Sequence, residues 1–123
     1  MKPLIAVAVF ACIAVAAPAF ADDYPVSGRW GQSASTQKGT IECHGRRIID
    51  FKGNQRTDSK GGVPAFRNKS VNADGPGRYR IVDEFATGQI GNARVNYTLR
   101  QIDADHIEIN MQPGGMLKLQ KCK

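Results

Sequence analysis

The stretch Cys43-His44-Gly45-Arg46-Arg47 sets a thiol beside an imidazole and follows both with two guanidinium groups. A cysteine–histidine pair can act as nucleophile and base, provided the thiolate forms and the imidazole reaches it. Adjacent residues of an extended chain point to opposite faces, so Cys43 and His44 are not expected to face each other. The other cysteines are Cys12 and Cys122. Cys12 falls in an apolar leader, described below, whose removal leaves an even pair. Two distant cysteines in a small exported chain read as a disulfide, and Cys43–Cys122 is the expected bond.

Other chemistry-bearing residues are sparse. Asp83 and Glu84 are consecutive on an alternating segment and so diverge, which argues against a paired general acid and base. Asp83 shares its face with Ile81 and Phe85; the preferred reading is a buried pair with a nearby arginine or a position at the barrel end, and the alternative is a polar group inside a pocket. His106, Met111 and Met116 belong to one hairpin and offer imidazole and thioether to Cu(I), but His106 and Met111 fall on opposite faces. Methionines filling the end of a core are the expectation instead. No G-x-S-x-G, H-E-x-x-H or phosphate-cradling glycine loop occurs, so no enzyme, cofactor or metal site is expected.

Arginine is the exception. Arg46 and Arg47 lie in the opening stretch, while Arg78 with Arg80 and Arg94 with Arg100 each share one face of a strand-like segment. If those two segments pair, a cationic stripe forms that would attract anionic lipid headgroups, acidic polysaccharide or an acidic protein. The same residues could equally be a solvated face that keeps the protein soluble.

Residues 1–21 open with Lys2, continue through an apolar run from Leu4 to Ala17, and end on Ala19-Phe20-Ala21. That is the pattern of a secretory signal peptide, with cleavage expected after Ala21. The apolar run is shorter than the roughly 18–20 residues of a membrane span. A single domain over residues 22–123 follows, with net charge +5 and an expected periplasmic or secreted location. Export and the scarcity of aromatics speak against nucleic acid as a partner.

The elements that position these residues are short strands. Alternation with a period of two runs through Arg78–Ala86, Arg94–Ile102, His106–Met111 and Met116–Cys122. Val26–Gly31, Thr40–Cys43, Ile48–Lys52 and Val63–Val71 supply four more. Short turns at Asp103–Asp105 and Gln112–Gly115, with a stronger break at Asn72–Gly77, link successive strands. About eight strands in sequence order predict an all-β fold, a small antiparallel meander closing into a barrel, which removes exposed edges. The polar run Lys52–Gly62 is expected to be a projecting loop.

Gly28-Arg29-Trp30, at the start of the first strand, resembles the Gly-x-Trp opening motif of the lipocalin and calycin superfamily. The resemblance implies an eight-stranded barrel with Trp30 anchoring its closed end and a basic residue near the last strand, Lys118 or Lys121, packing over the ring. Large side chains on the inward faces, among them Trp30, Ile49, Phe51, Tyr97, Leu99 and Ile109, are numerous enough to fill a barrel of this size. The expected function is non-catalytic binding by a monomer of the cell envelope, of a small amphipathic ligand or of an anionic envelope component. The alternative is a protein–protein module that inhibits an envelope or secreted enzyme, using the Lys52–Gly62 loop.

Overall fold

The computed structural model describes residues 23–60, 65–85, 94–112 and 114–123; the expected signal peptide lies outside them. Among the described residues eight strands occur: β1 (Gly28–Gln32), β2 (Ile48–Lys52), β3 (Gln55–Asp58), β4 (Phe66–Ala73), β5 (Arg78–Phe85), β6 (Arg94–Gln101), β7 (His106–Gln112) and β8 (Gly115–Lys121). Each pairs antiparallel with its sequence neighbour, and β8 returns to β1 through Trp30↔Lys121, Gly31↔Gln120 and Gln32↔Leu119, closing the barrel. No described helix is long and apolar enough to cross a membrane.

The alternation read from the sequence is the one the barrel uses. Ile81, Tyr97, Leu99, Ile107, Ile109, Leu117 and Leu119 project inward from β5 to β8 and pack with Ile49 and Phe51 of β2. Phe66, Tyr79, Phe85 and Val95, near the strand ends, are half-buried. Val71, Tyr79, Val95 and Met111 flank the core. Met116 departs from the expected core role: it is 55 % exposed, because it stands opposite Asn110 on the outward face of the β7–β8 hairpin.

Two expected elements are corrected. Thr40–Cys43 is not a barrel strand; it contributes one parallel bridge, Ile41 with Cys122, and otherwise belongs to the long β1–β2 connection. The eighth strand is β3, inside the run expected to be a projecting loop. Lys52 pairs with Gln55 across a two-residue turn in which Gly53 adopts φ 62°, the conformation a Gly-first hairpin turn requires. Lys52–Asp58 is therefore barrel wall. The β3–β4 seam registers Gln55↔Arg67 and Arg56↔Phe66 among the described residues, and the bulge between Asn68 and Ser70 bends β4.

Cys43 and Cys122 are bonded, with Cα atoms 5.6 Å apart, and both are buried. His44 is exposed and lies in a turn, so the outcome of no Cys43–His44 pair comes from the disulfide and not from strand alternation. Gly31 lies beneath this bond: a Cβ there would sit 2.5 Å from Cys43 Sγ, so the position admits no side chain without displacing the cysteine. Trp30 is buried and donates from Nε1 to Ser27 O at 3.1 Å. Lys121 Nζ lies 5.1 Å from the Trp30 ring and donates to the same carbonyl. A lysine of the last strand thus lies over the face of the buried Trp30 ring.

Candidate functional site

The outer wall of β4–β7 carries a groove of about 450 Å³. The register explains its composition. Asn72, Arg80, Thr98 and Asn110 are consecutive cross-strand partners on the outward face, and Val82 and Asn96 form the neighbouring row. All six line the groove. Three amides, a hydroxyl and one guanidinium thus share the groove with an apolar lining from Ile81, Val82 and Tyr97. Arg80 makes no ion pair with another described residue, so its five donors remain open to a ligand.

Only part of the expected cationic stripe converges here. Arg78 stands opposite Arg100, one row beyond Arg80, so these three gather on one area of wall. Arg78 also reaches Asp74 at 4.0 Å, and Arg100 faces Glu108 on β7. Arg94 is at the far end of β6 opposite Glu84, which already accepts Arg67 at 3.1 Å. Arg46 and Arg47 lie elsewhere and are structurally engaged. Arg46 donates to the carbonyls of Gln32 and Glu42, and Arg47 makes a two-pronged contact with Asp58 at 3.0 and 2.7 Å.

A second constellation lies inside the barrel. Asp83 is fully buried and its carboxylate is saturated by donors. Arg56 Nε and the Tyr97 hydroxyl donate to Oδ2 at 2.7 and 2.8 Å; the Tyr24 hydroxyl and Asn68 Nδ2 donate to Oδ1 at 3.0 and 3.3 Å. The Arg56 guanidinium carbon sits 4.1 Å from the Phe66 ring centre and 5.0 Å from that of Tyr97. Burial, then the Asp83 charge, pushes both phenols well above their ordinary range. Four donors thus meet the four lone-pair sites of this carboxylate and tie the N-terminal segment, β3, β4 and β6 together.

Of the two placements expected for Asp83, the structure shows the buried arginine pair, with Arg56 as the partner. No local pattern marks Arg56, Tyr24 or Asn68 as the donors to Asp83. The available signal was Gly53-Asn54, a hairpin dipeptide, followed by the alternation of Arg56 against Gln55 and Thr57. A charged inward residue hides a strand from any reading that looks for apolar alternation.

A smaller cavity of about 150 Å³ separates Ser33–Thr36 from Asp103, His106, Glu108 and Lys118. His106 Nδ1 lies 2.8 Å from Asp103 Oδ1, and this contact holds the Asp103 carboxyl below the usual carboxylate range. His106 and Met111 do not join any set of three or more histidine, cysteine or acidic side chains able to hold a metal among the described residues. No protein-family model, curated protein or solved structure matches the chain.

Proposed function

We propose that the protein is an exported, non-catalytic binding protein of the cell envelope that takes an anionic, hydroxyl-rich ligand on its outer wall. The observation that carries this reading is the β4–β7 groove, in which Arg80 has no carboxylate partner among the described residues and is flanked by Asn72, Asn96, Asn110 and Thr98. Guanidinium supplies charge and a two-pronged donor for a carboxylate or phosphate. Side-chain amides supply paired donors and acceptors for hydroxyls. Arg78 and Arg100 add long-range attraction at one margin. The close-packed interior argues against an apolar ligand inside the barrel, because Ile49, Leu99 and Ile109 at its centre are entirely inaccessible. Export is supported by the leader pattern of residues 1–21 and fits the disulfide. The Trp30–Lys121 stack supports kinship with the lipocalin-like barrels.

The test is binding of the disulfide-intact protein to two probes, oligogalacturonate and phosphatidylglycerol vesicles, by calorimetry at low and moderate salt. The expected result is salt-sensitive binding to one of them that falls at least about tenfold in Arg80→Ala, the scale of a lost charge-assisted hydrogen bond. Asp50→Ala, remote from the groove, should leave it unchanged. Absence of binding to both probes, or equal binding by Arg80→Ala, overturns the reading.

A further inference from the structure

The β1–β2 connection presents five consecutive exposed residues, Ala34-Ser35-Thr36-Gln37-Lys38, and is secured with unusual thoroughness from beneath. Ser33 N–H donates to Lys118 O at 3.0 Å, Ser35 N–H to Ser33 Oγ at 3.2 Å, and Gln37 N–H to Ser35 Oγ at 3.1 Å. Gly39 N–H donates to Asp105 Oδ2 at 2.9 Å, and Ile41 N–H to Lys121 O at 2.9 Å. The support is a buried side chain. Gln120, on β8, accepts from Ser33 Oγ and donates Nε2 to Gln37 O at 3.0 Å and Gly39 O at 2.8 Å. Beyond Ile41 the chain is locked to β8 again by the Cys43–Cys122 bond.

This bracing alternates. Positions 33, 35, 37, 39 and 41 are tied, whereas the backbones of Ala34, Thr36 and Lys38 make no hydrogen bond to a described residue. The run therefore offers a partner unused backbone donors and acceptors on a support that is already ordered, which lowers the entropy lost on binding. Lys38 stands at the corner where the chain bends into Gly39, whose φ is 107°. No acidic residue occurs from Ser33 to Ile41, and Lys38 makes no ion pair with a described residue.

We infer that Ser33–Gly39 is a recognition loop for the active-site cleft of a serine peptidase that cleaves after lysine. Such a cleft pairs with free backbone groups of its guest and supplies a carboxylate at the base of its primary pocket for the lysine ammonium. The tethers straddle the bond that would be cut. Attack of the peptidase hydroxyl on the Lys38 carbonyl carbon breaks the C–N bond to Gly39, and the hydroxyl proton passes to the departing Gly39 amine. In an ordinary substrate that amine diffuses away before water arrives. Here Gln120 holds the carbonyls on both sides of the cut, Asp105 holds the Gly39 nitrogen, and the disulfide holds the segment beyond. The amine stays within reach and reforms the amide by the reverse steps, so the loop occupies the cleft without being consumed.

The experiment titrates the intact protein against trypsin and a lysine-specific endopeptidase, following a chromogenic lysyl substrate, with mass spectrometry of the loop in parallel. The expected result is competitive inhibition of at least one of them, with an inhibition constant of about 1 μM or tighter and the loop mostly intact. Lys38→Ala, at an exposed position, should weaken inhibition at least about 30-fold, as expected of a central anchor residue. Lys38→Arg should be tolerated by trypsin. Gln120→Leu, if it retains the wild-type circular dichroism spectrum, should turn the loop into a substrate cut after Lys38. Failure of the wild-type protein to inhibit either enzyme at about 10 μM, or its rapid cleavage after Lys38, overturns the inference, as does inhibition unchanged by Lys38→Ala.

Discussion

Asp83 is the residue on which the interior is organised, and its four donors come from four different elements: the N-terminal segment, β3, β4 and β6. Burying a carboxylate is costly unless it is paired and hydrogen-bonded, so these contacts offset a large desolvation cost and specify how the strands meet. The position of Asp83 on an apolar face made its burial legible in the sequence, and the need for a buried charge to find a partner made an arginine the natural expectation. Which arginine was not legible, because long-range pairing is set by closure of the barrel and not by local pattern. Tyr24 and Tyr97 give the cluster a pH signature. Their folded pKa values are raised, by burial first and then by Asp83, above the value of about 10 that a free phenol has in the unfolded chain. A raised folded pKa means that the stabilisation is complete below about pH 10 and is lost as pH climbs from there toward the folded values. For each phenol the loss approaches about 1.4 kcal/mol per pH unit. Urea midpoints taken between about pH 9 and about pH 11 should therefore fall for the wild type, and fall about half as steeply from this source in Tyr24→Phe. Parallel slopes for the two proteins would mean that the Tyr24 hydroxyl is not held in its protonated form by the fold.

Among the elements, β3 is the one whose sequence and pairing are both unusual. Its four residues, Gln55-Arg56-Thr57-Asp58, contain no apolar side chain, and the one that points inward is Arg56. Strands β5, β6, β7 and β8 were readable because Ile81, Tyr97, Leu99, Ile107, Ile109, Leu117 and Leu119 recur at every second position. The same criterion passed over β3 and admitted Thr40–Cys43, whose Ile41 is held by a single parallel bridge while Cys43 is buried through its disulfide. Pairing follows composition. The β6–β7 ladder registers six residue pairs from Asn96↔Gln112 to Gln101↔Ile107, whereas β3–β4 registers two among the described residues. Local opening draws on regions with few apolar contacts and short ladders. Amide hydrogen exchange should accordingly show Gln55–Asp58 losing protection well before Tyr97–Leu99, with β6 and β7 exchanging only through global unfolding. Equal protection of β3 and β6 would show that the Arg56–Asp83 contact secures the short seam as firmly as a full ladder does.

At the scale of the whole molecule, closure depends on one weak geometric step, the return of β8 to β1 through three registered pairs, and on the covalent bond beside it. The disulfide joins residues 79 apart in sequence, so it restricts nearly the whole domain in the unfolded state. The chain-entropy account gives about 4 kcal/mol for a loop of that size, with native strain and residual unfolded structure reducing it. The bond also has a local role, because Cys43 packs on Gly31 of β1 and Cys122 pairs with both Arg29 and Ile41 through the adjacent backbone. Replacing both cysteines, Cys43→Ala with Cys122→Ala, should thus lower unfolding free energy by about 2–4 kcal/mol while leaving a β-barrel spectrum, since Trp30, Gln32 and Leu119 still close the wall. The β1–β2 connection should respond more than the wall does: with its far end released, Ile41 retains only backbone bonds to Lys121 and Lys123. Proteolysis after Lys38 should then accelerate in the double variant by more than its global stability change accounts for. If cleavage tracks global unfolding alone, Gln120 and Asp105 are sufficient to hold the loop and the disulfide serves only the closed barrel.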